Sequence, residues 1–367
     1  METTTAYSAT GSGGSGIETQ RLLGGIVGLF LTLLALYGGF IFLRDSNAPK
    51  LIITVVAIVW GVGGVAALFF EANYLVESLP IKWTTRIQPY IFIGPAILLL
   101  AWYLAVPTVR TFWLSLFTTE GGVTRFAGLE NYQAVFSQRI MVQAWTNNLL
   151  WLVVGTTCTV SLGLIIAILA DRSRFEKTAK SLIFLPMAIS MVGAGVIWKF
   201  VFDTNPNIGL LNAVVTSAGG QAQDWIRANQ PINNLFLIMV MVWLQTGFAM
   251  VLISAAIKGI PEDLLEAARV DGANEVRIFF SIIIPSISGT LVTVTTTTII
   301  FTLKVFDIVM VMTGGQFGTE VIGVRFYKEM FTAGNEGYGS AIAIVLLMAV
   351  IPIMIYNLRE FNKREVM

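Results

Sequence analysis

This chain offers few residues that could do chemistry. It has no histidine, its one cysteine (Cys158) sits inside an apolar run, and no Gly-x-x-x-x-Gly-Lys-Ser/Thr stretch is present. Histidine-based proton transfer, Cys-rich metal sites, an internal disulfide and a P-loop are therefore excluded. No catalytic residue and no metal ligand set is expected. What remains is one charged interval, residues 258–285, with the sequence KGIPEDLLEAARVDGANEVRIFFSIIIP. Its charges alternate with Leu, Ala, Val, Ile and Phe at helical spacing, a pattern suited to docking rather than catalysis. Pro261 fits the first helical position, and Glu262 and Asp263 follow where negative charge complements the helix dipole. Leu264, Leu265, Ala268 and Val270 supply an apolar side; Glu266, Arg269 and Asp271 supply a polar one. Gly272 permits a sharp turn into a second short helix over 273–280, and Pro285 restarts an apolar helix. Amphipathicity alone leaves two uses open: packing on lipid headgroups, or docking on a soluble partner.

The elements around this insert read as membrane spans. Of 367 residues, 55% are hydrophobic and 12% charged, against about 25% charged in a soluble domain. A net charge of +1 provides no field for nucleic acid, so no nucleic-acid partner is expected. Apolar runs occupy residues 22–43, 51–70, 90–117, 148–170, 182–202, 235–256, 282–301 and 338–358. The first rises about 33 Å at ~1.5 Å per residue, enough to cross a bilayer. It is too long for a signal peptide and lacks a small-residue cleavage site, so it is expected to stay. Thr293 and the threonine run 295–298 dilute the seventh; such hydroxyls bond back to the backbone or face a bundle interior. The expected fold is an all-α integral membrane protein with about eight transmembrane helices. Residues 1–20, rich in Thr, Ser and Gly, are expected to form a disordered cytoplasmic tail. Residues 21–88 hold two spans and a linker, and residues 89–367 the main membrane domain.

Lysine and arginine in short loops set the orientation. Arg172, Arg174, Lys177 and Lys180 lie between the fourth and fifth spans. Lys258, Arg269 and Arg277 lie in the insert, and Arg359, Lys363 and Arg364 at the C-terminal end. With eight spans these segments share one side with the N-terminus and with Lys82 and Arg86. That side is expected to be the cytoplasm. Trp83, Trp145, Trp198, Trp225 and Trp243 lie in outer loops or near span ends, as bilayer anchors do.

The spacing Glu266-Ala267-Ala268, three residues, Gly272, nine residues, Ile282, then Ile284-Pro285 resembles the EAA loop of membrane subunits of binding-protein-dependent ABC importers. Ile284 stands where that family more often has Leu. Gly128-Leu129-Glu130-Asn131-Tyr132, Lys304-Val305-Phe306-Asp307 and Met312-Thr313-Gly314-Gly315 look like its sugar-permease branch, of the maltose and glycerol-phosphate kind. Thr313-Gly314-Gly315-Gln316 with Thr319-Glu320-Val321 is similar to the alpha-glucoside branch. The likeness runs from residue 90 to the end, as the six-helix core of a type I importer, with the first two spans as an addition.

The resemblance implies a permease subunit that is not itself an enzyme. Its insert would form coupling helices seated on a separate ABC ATPase dimer, with Glu266, Ala267, Ala268, Asp271, Gly272 and Pro285 as the coupling residues. ATP and Mg would be bound by that ATPase, leaving no cofactor on this chain. A second permease subunit would complete the pore. An extracytoplasmic solute-binding protein would deliver a carbohydrate: an alpha-glucoside, an oligosaccharide or a glucosyl-polyol. The setting would be the bacterial inner membrane, with both termini cytoplasmic.

Aligned sugar-facing positions are Met241, Leu244, Gln245 and Phe248, then Thr297, Ile300, Phe301 and Lys304. The maltose-type protein has amides at some of these sites, where this chain has Met241, Phe301 and Lys304. Gln245 also suits an interhelical hydrogen bond, and Phe248 and Phe301 suit plain packing. Lys304 and Asp307, three apart, fit a structural or gating ion pair as well as a ligand contact. Two alternatives stay open: an ABC permease for another small polar solute, and a secondary carrier. The near absence of Asp and Glu within the spans weighs against the carrier.

Overall fold

A computed structural model describes residues 18–120 and 122–365. The Gly-Ser run and the rest of residues 1–17, where a disordered tail is expected, lie outside the described residues. The chain divides into two units, one ending at Val109 and one starting at Arg110.

In the first unit, α1 (Thr19–Asp45), α2 (Lys50–Glu77) and most of α3 (Ile81–Ser115) are long and apolar enough to span a membrane. α1 packs on α2, and α2 on α3. Two polar side chains of this apolar group have partners across helices, which suits a medium without water. The Trp60 indole donates to the Leu36 carbonyl at 2.9 Å, and the Gln88 amide donates to Asn73 at 3.0 Å. Composition suggests a division at 88/89, but the unit boundary falls inside α3. Pro89 and Pro95 lie within one continuous helix rather than starting a new one, and its first part packs on α2.

The second unit opens with a hairpin, β1 (Phe117–Glu120) antiparallel to β2 (Val123–Phe126). α4 (Glu130–Ser137) follows. The Gly128-to-Tyr132 stretch staples this region: the Asn131 amide donates to the Ser115 and Phe117 carbonyls at 2.9 and 2.7 Å, and the Tyr132 and Ser115 hydroxyls lie 2.6 Å apart. The spans are α5 (Arg139–Asp171), the broken pair α6 (Glu176–Ala188) and α7 (Met191–Val201), and α9 (Ile232–Lys258), with the short α8 (Leu210–Ser217) before α9. Next come α10 (Glu262–Val270), the broken pair α11 (Glu275–Ser286) and α12 (Ser288–Leu303), α13 (Asp307–Met312), α14 (Ile322–Tyr327) and α15 (Glu336–Glu365).

Counting each broken pair once gives eight spans, matching the eight apolar runs. α9 is the axis; two-thirds of its most apolar window is buried against its neighbours. Gly247 lets it close on α6, since a Cβ there would sit 2.5 Å from the Ile183 carbonyl oxygen. Small residues at such crossings let helices approach closely in apolar surroundings.

Both breaks have local causes. α6 ends in a tight turn containing Pro186, Ile189 is extended, and the Ser190 hydroxyl accepts the Gly193 N–H at 3.1 Å to start α7 at 102°. α11 and α12 meet at 68°. Pro285 cannot donate, and a wide turn over Phe279–Ile283 precedes it. Pro285 therefore closes α11 instead of opening the span, which resumes at Ser288. Trp83 is exposed, as a bilayer anchor would be, whereas three other tryptophans are partly covered by protein. Trp198 and Trp243 pack edge to face at 5.6 Å beside the core, and Trp225 packs on Phe236.

Candidate functional site

The insert emerges as a solvated handle. α10 follows Pro261, which stands just before the helix rather than in it. Gly272 adopts φ +79°, the left-handed conformation that favours glycine. The helix closes with two backbone bonds: the Gly272 N–H reaches the Arg269 carbonyl and the Ala273 N–H reaches the Ala268 carbonyl, each at 3.0 Å. That pairing is the Schellman arrangement, which satisfies otherwise orphaned carbonyls. The Asn274 side chain then accepts the Arg277 N–H at 2.8 Å and starts α11.

Glu266, Ala267, Asp271, Gly272 and Pro285 are exposed and Ala268 is half-buried. Val270 is 88% exposed. Among the described residues, Glu262, Asp263, Glu266 and Asp271 join no ion pair. A helix with unpaired carboxylates on one side and bare aliphatic groups beside them is built to meet another surface.

The second place is a cavity of about 400 Å³. Leu244, Gln245 and Phe248 from α9 and Phe301 from α12 line it, and Met187, Ile189, Ser190 and Met191 from the break between α6 and α7 complete the wall. The Gln245 amide makes no hydrogen bond within the chain among the described residues, so the interhelical bond that its sequence position allows is not formed. An apolar wall with one free amide and two phenyl rings can hold a small polar molecule, by stacking and one or two hydrogen bonds.

Four of the eight aligned positions thus meet here, and Met241, Thr297, Ile300 and Lys304 do not. Met241 is buried in the core. Its methyl packs towards Gly155, and its sulfur accepts the Thr302 hydroxyl at 3.6 Å. Thr297 is half-buried and Lys304 exposed, and neither lines the cavity. Lys304 and Asp307 form no ion pair. α12 ends at Leu303, Phe306 leaves the helical conformation at φ −144°, and Asp307 opens α13, so no single helix face carries both.

The sequence places these features in a known group. Residues 159–366 match the family described as binding-protein-dependent transport system inner membrane component. The chain belongs to that family. It is 54% identical to the osmoprotective compounds uptake permease protein GgtC of Synechocystis sp. over 278 residues, 75% of this chain and 99% of that one. It is 44% identical to the alpha-glucoside transport system permease protein AglF of Rhizobium meliloti over 335 residues, 86% of this chain and 98% of that one. A crystal structure of a bacterial ABC transporter that imports the acidic polysaccharide alginate shares the fold. Its TM-score is 0.65 at 19% identity, covering 76% of this chain and 98% of that one. As a member of the family, the chain is a multi-pass membrane transport subunit.

Two groups of polar residues went unread in the sequence. At one end of the helices, Asp171 and Glu176 share Lys180 at 2.5 and 2.6 Å. Ser254 donates to Asp171 at 2.7 Å, and Lys258 pairs with Glu176. This cluster fastens α5, α6 and α9 together. At the other end, Asn147 donates to the Gly318 and Glu320 carbonyls at 2.7 Å each. Asn233 donates to the Phe317 carbonyl at 2.7 Å, and Asn148 accepts the Ile322 N–H at 2.8 Å. These amides pin the Thr313-to-Glu320 loop. The available signal was the doubled asparagines, 147–148 and 233–234, at span ends where single polar residues are already rare.

Proposed function

We propose that this chain is one half of the pore of an ATP-driven importer for an uncharged alpha-glucoside or glucosyl-polyol. The observation that carries the reading is the Gln245 amide, without a partner among the described residues, which shares the lining of an apolar cavity with Phe248 and Phe301. A sugar presents hydroxyls to an amide and a C–H face to a phenyl ring. A wall with a single polar side chain besides Ser190 suits a neutral solute better than an ion. The names of the two relatives, an alpha-glucoside permease and an osmoprotectant permease, support the same class.

The insert is the coupling loop. Glu266 makes a charged contact with a separate ABC ATPase dimer, Ala267 and Ala268 keep the helix slim, Asp271 and Gly272 form its exit, and Pro285 sets the return into the membrane. ATP and Mg are bound by that ATPase, and this chain needs no cofactor. The basic segments support an orientation with the insert, the α5–α6 turn and both termini in the cytoplasm of a bacterium. A second permease subunit supplies the other cavity wall, and an extracytoplasmic binding protein delivers the solute to the opposite face. Thr297 and Lys304 reach solute only after the subunits rearrange.

The test is uptake by the purified complex with its binding protein in vesicles, across alpha-glucosides, glucosyl-polyols and oligosaccharides. ATP-dependent uptake of one alpha-glucoside class is the expected result. Uptake of amino acids alone, or uptake without ATP, would overturn the reading.

A further inference from the structure

We propose that Arg172 and Glu275 form a clasp that carries motion of the insert to the wall of the cavity. The proposal rests on the importer reading above. Glu275 opens α11 and lies between two guanidinium groups from separate segments. Arg172 reaches it at 2.9 Å from the turn between α5 and α6, and Arg269 reaches it at 3.1 Å from α10. The two helices of the insert are thereby tied to each other and to that turn.

What lies behind Arg172 gives the contact its use. Its neighbour Asp171 belongs to the cluster with Glu176, Lys180, Ser254 and Lys258, which joins α5, α6 and α9. From Glu176, α6 runs without interruption into Met187, where the cavity wall begins. Further along, α6 is seated on α9 at Gly247. The insert is thus held at two ends. One end is covalent, from α9 through Gly259 into α10. The other is ionic, from Glu275 through Arg172 to α6. A push on α10 and α11 then shifts α6 and α9 together, moving Met187, Ser190, Gln245 and Phe248 as one wall. Without the clasp, α11 keeps its buried Ile278 and the packing of Ile283 beside α9 but loses its tie to the α5–α6 turn.

The clasp contributes little to folding. The Arg172 and Glu275 side chains are 64% and 52% exposed, and pairs of that kind add little to stability in water. A protein seated on the insert excludes water and strengthens the pair. It is therefore strongest when the motor is docked, which is when force must pass.

The experiment uses the complete transporter in vesicles, with solute uptake and ATP hydrolysis measured on the same sample. Arg172→Glu sets two carboxylates against each other. Hydrolysis is expected to persist while the solute moved per ATP falls about fivefold, and Arg172→Lys, which keeps the charge, is expected to stay within about twofold of the wild-type ratio. Reversing the whole triad (R172E, R269E and E275K together) is expected to recover the ratio. An R172E transporter with the wild-type ratio overturns the clasp, as does an R172K transporter damaged as badly as R172E. A wild-type complex that hydrolyses ATP but imports nothing overturns the importer reading itself, and is told apart by that control.

Discussion

The insert exposes its charges to water, whereas the cavity encloses one amide among apolar side chains. The insert is built from a single contiguous stretch, and its geometry follows from neighbours in sequence: a glycine in the left-handed conformation, an asparagine cap, a proline at each end. The cavity is built from three places, α9, α12 and the break after α6. It exists because α6 stops short. In the insert, polar atoms cost nothing to display, so their number is free to follow the partner. In the cavity each unpaired polar atom is expensive unless a ligand satisfies it. A single free amide there therefore carries more meaning than four free carboxylates on the insert.

The largest expected effect lies in the insert. Gly272→Asp and Glu266→Lys are each expected to abolish uptake while the protein still reaches the membrane, measured as cell uptake beside membrane content. No atom lies within 4 Å of a Cβ added at Gly272, so the folding cost is confined to the backbone, about 1 kcal/mol. A loss of uptake beyond that comes from the docking surface. Normal transport by both variants would erase the distinction between the two regions.

The next pair compares core with cavity on one helix. Met241→Ala empties a packed site and is expected to cost about 2–5 kcal/mol of stability, read as a lower denaturation temperature of purified protein. Gln245→Ala removes an amide with no partner among the described residues, so the denaturation temperature should hold. Apparent affinity for solute should weaken by up to about tenfold, the worth of one neutral hydrogen bond. If Met241→Ala instead weakens affinity and Gln245→Ala lowers stability, the cavity has been drawn on the wrong side of α9.

The contrast also explains what the sequence made legible. The eight spans were readable because apolar length is local information. The insert was readable because Glu266, Gly272 and Pro285 hold fixed spacing within one loop. Within the cavity, Leu244, Gln245, Phe248 and Phe301 were reachable by alignment, but Met187, Ile189, Ser190 and Met191 were not. Their role depends on a 102° bend between α6 and α7, and an apolar run looks the same whether straight or broken. Met241 failed for a related reason. It is one turn from Gln245, yet Gly155 opens a gap on α5 that draws its side chain into the core. The cluster around Asp171 was hidden because Asp171, Glu176 and Lys180 meet Ser254 and Lys258 from the end of α9, far away in sequence.

The smallest effect is expected at Lys304 and Asp307, where sequence spacing suggested a bond that the fold does not make. On one continuous helix, residues three apart face the same side. Here the Val305 N–H bonds to the Thr302 carbonyl and the chain leaves the helix before Asp307 opens the next one. Lys304 therefore makes no ion pair among the described residues, and Asp307 places its charge at the start of α13, where the helix dipole favours it. Changing each to alanine, singly and together, should give effects on uptake that add within about 0.5 kcal/mol on a free-energy scale. A coupling above about 1 kcal/mol would mean that the two meet in another state of the transport cycle. The break at Val305 would then be a hinge that opens and closes the pair, and the outer end of α12 would belong with the moving wall of the cavity.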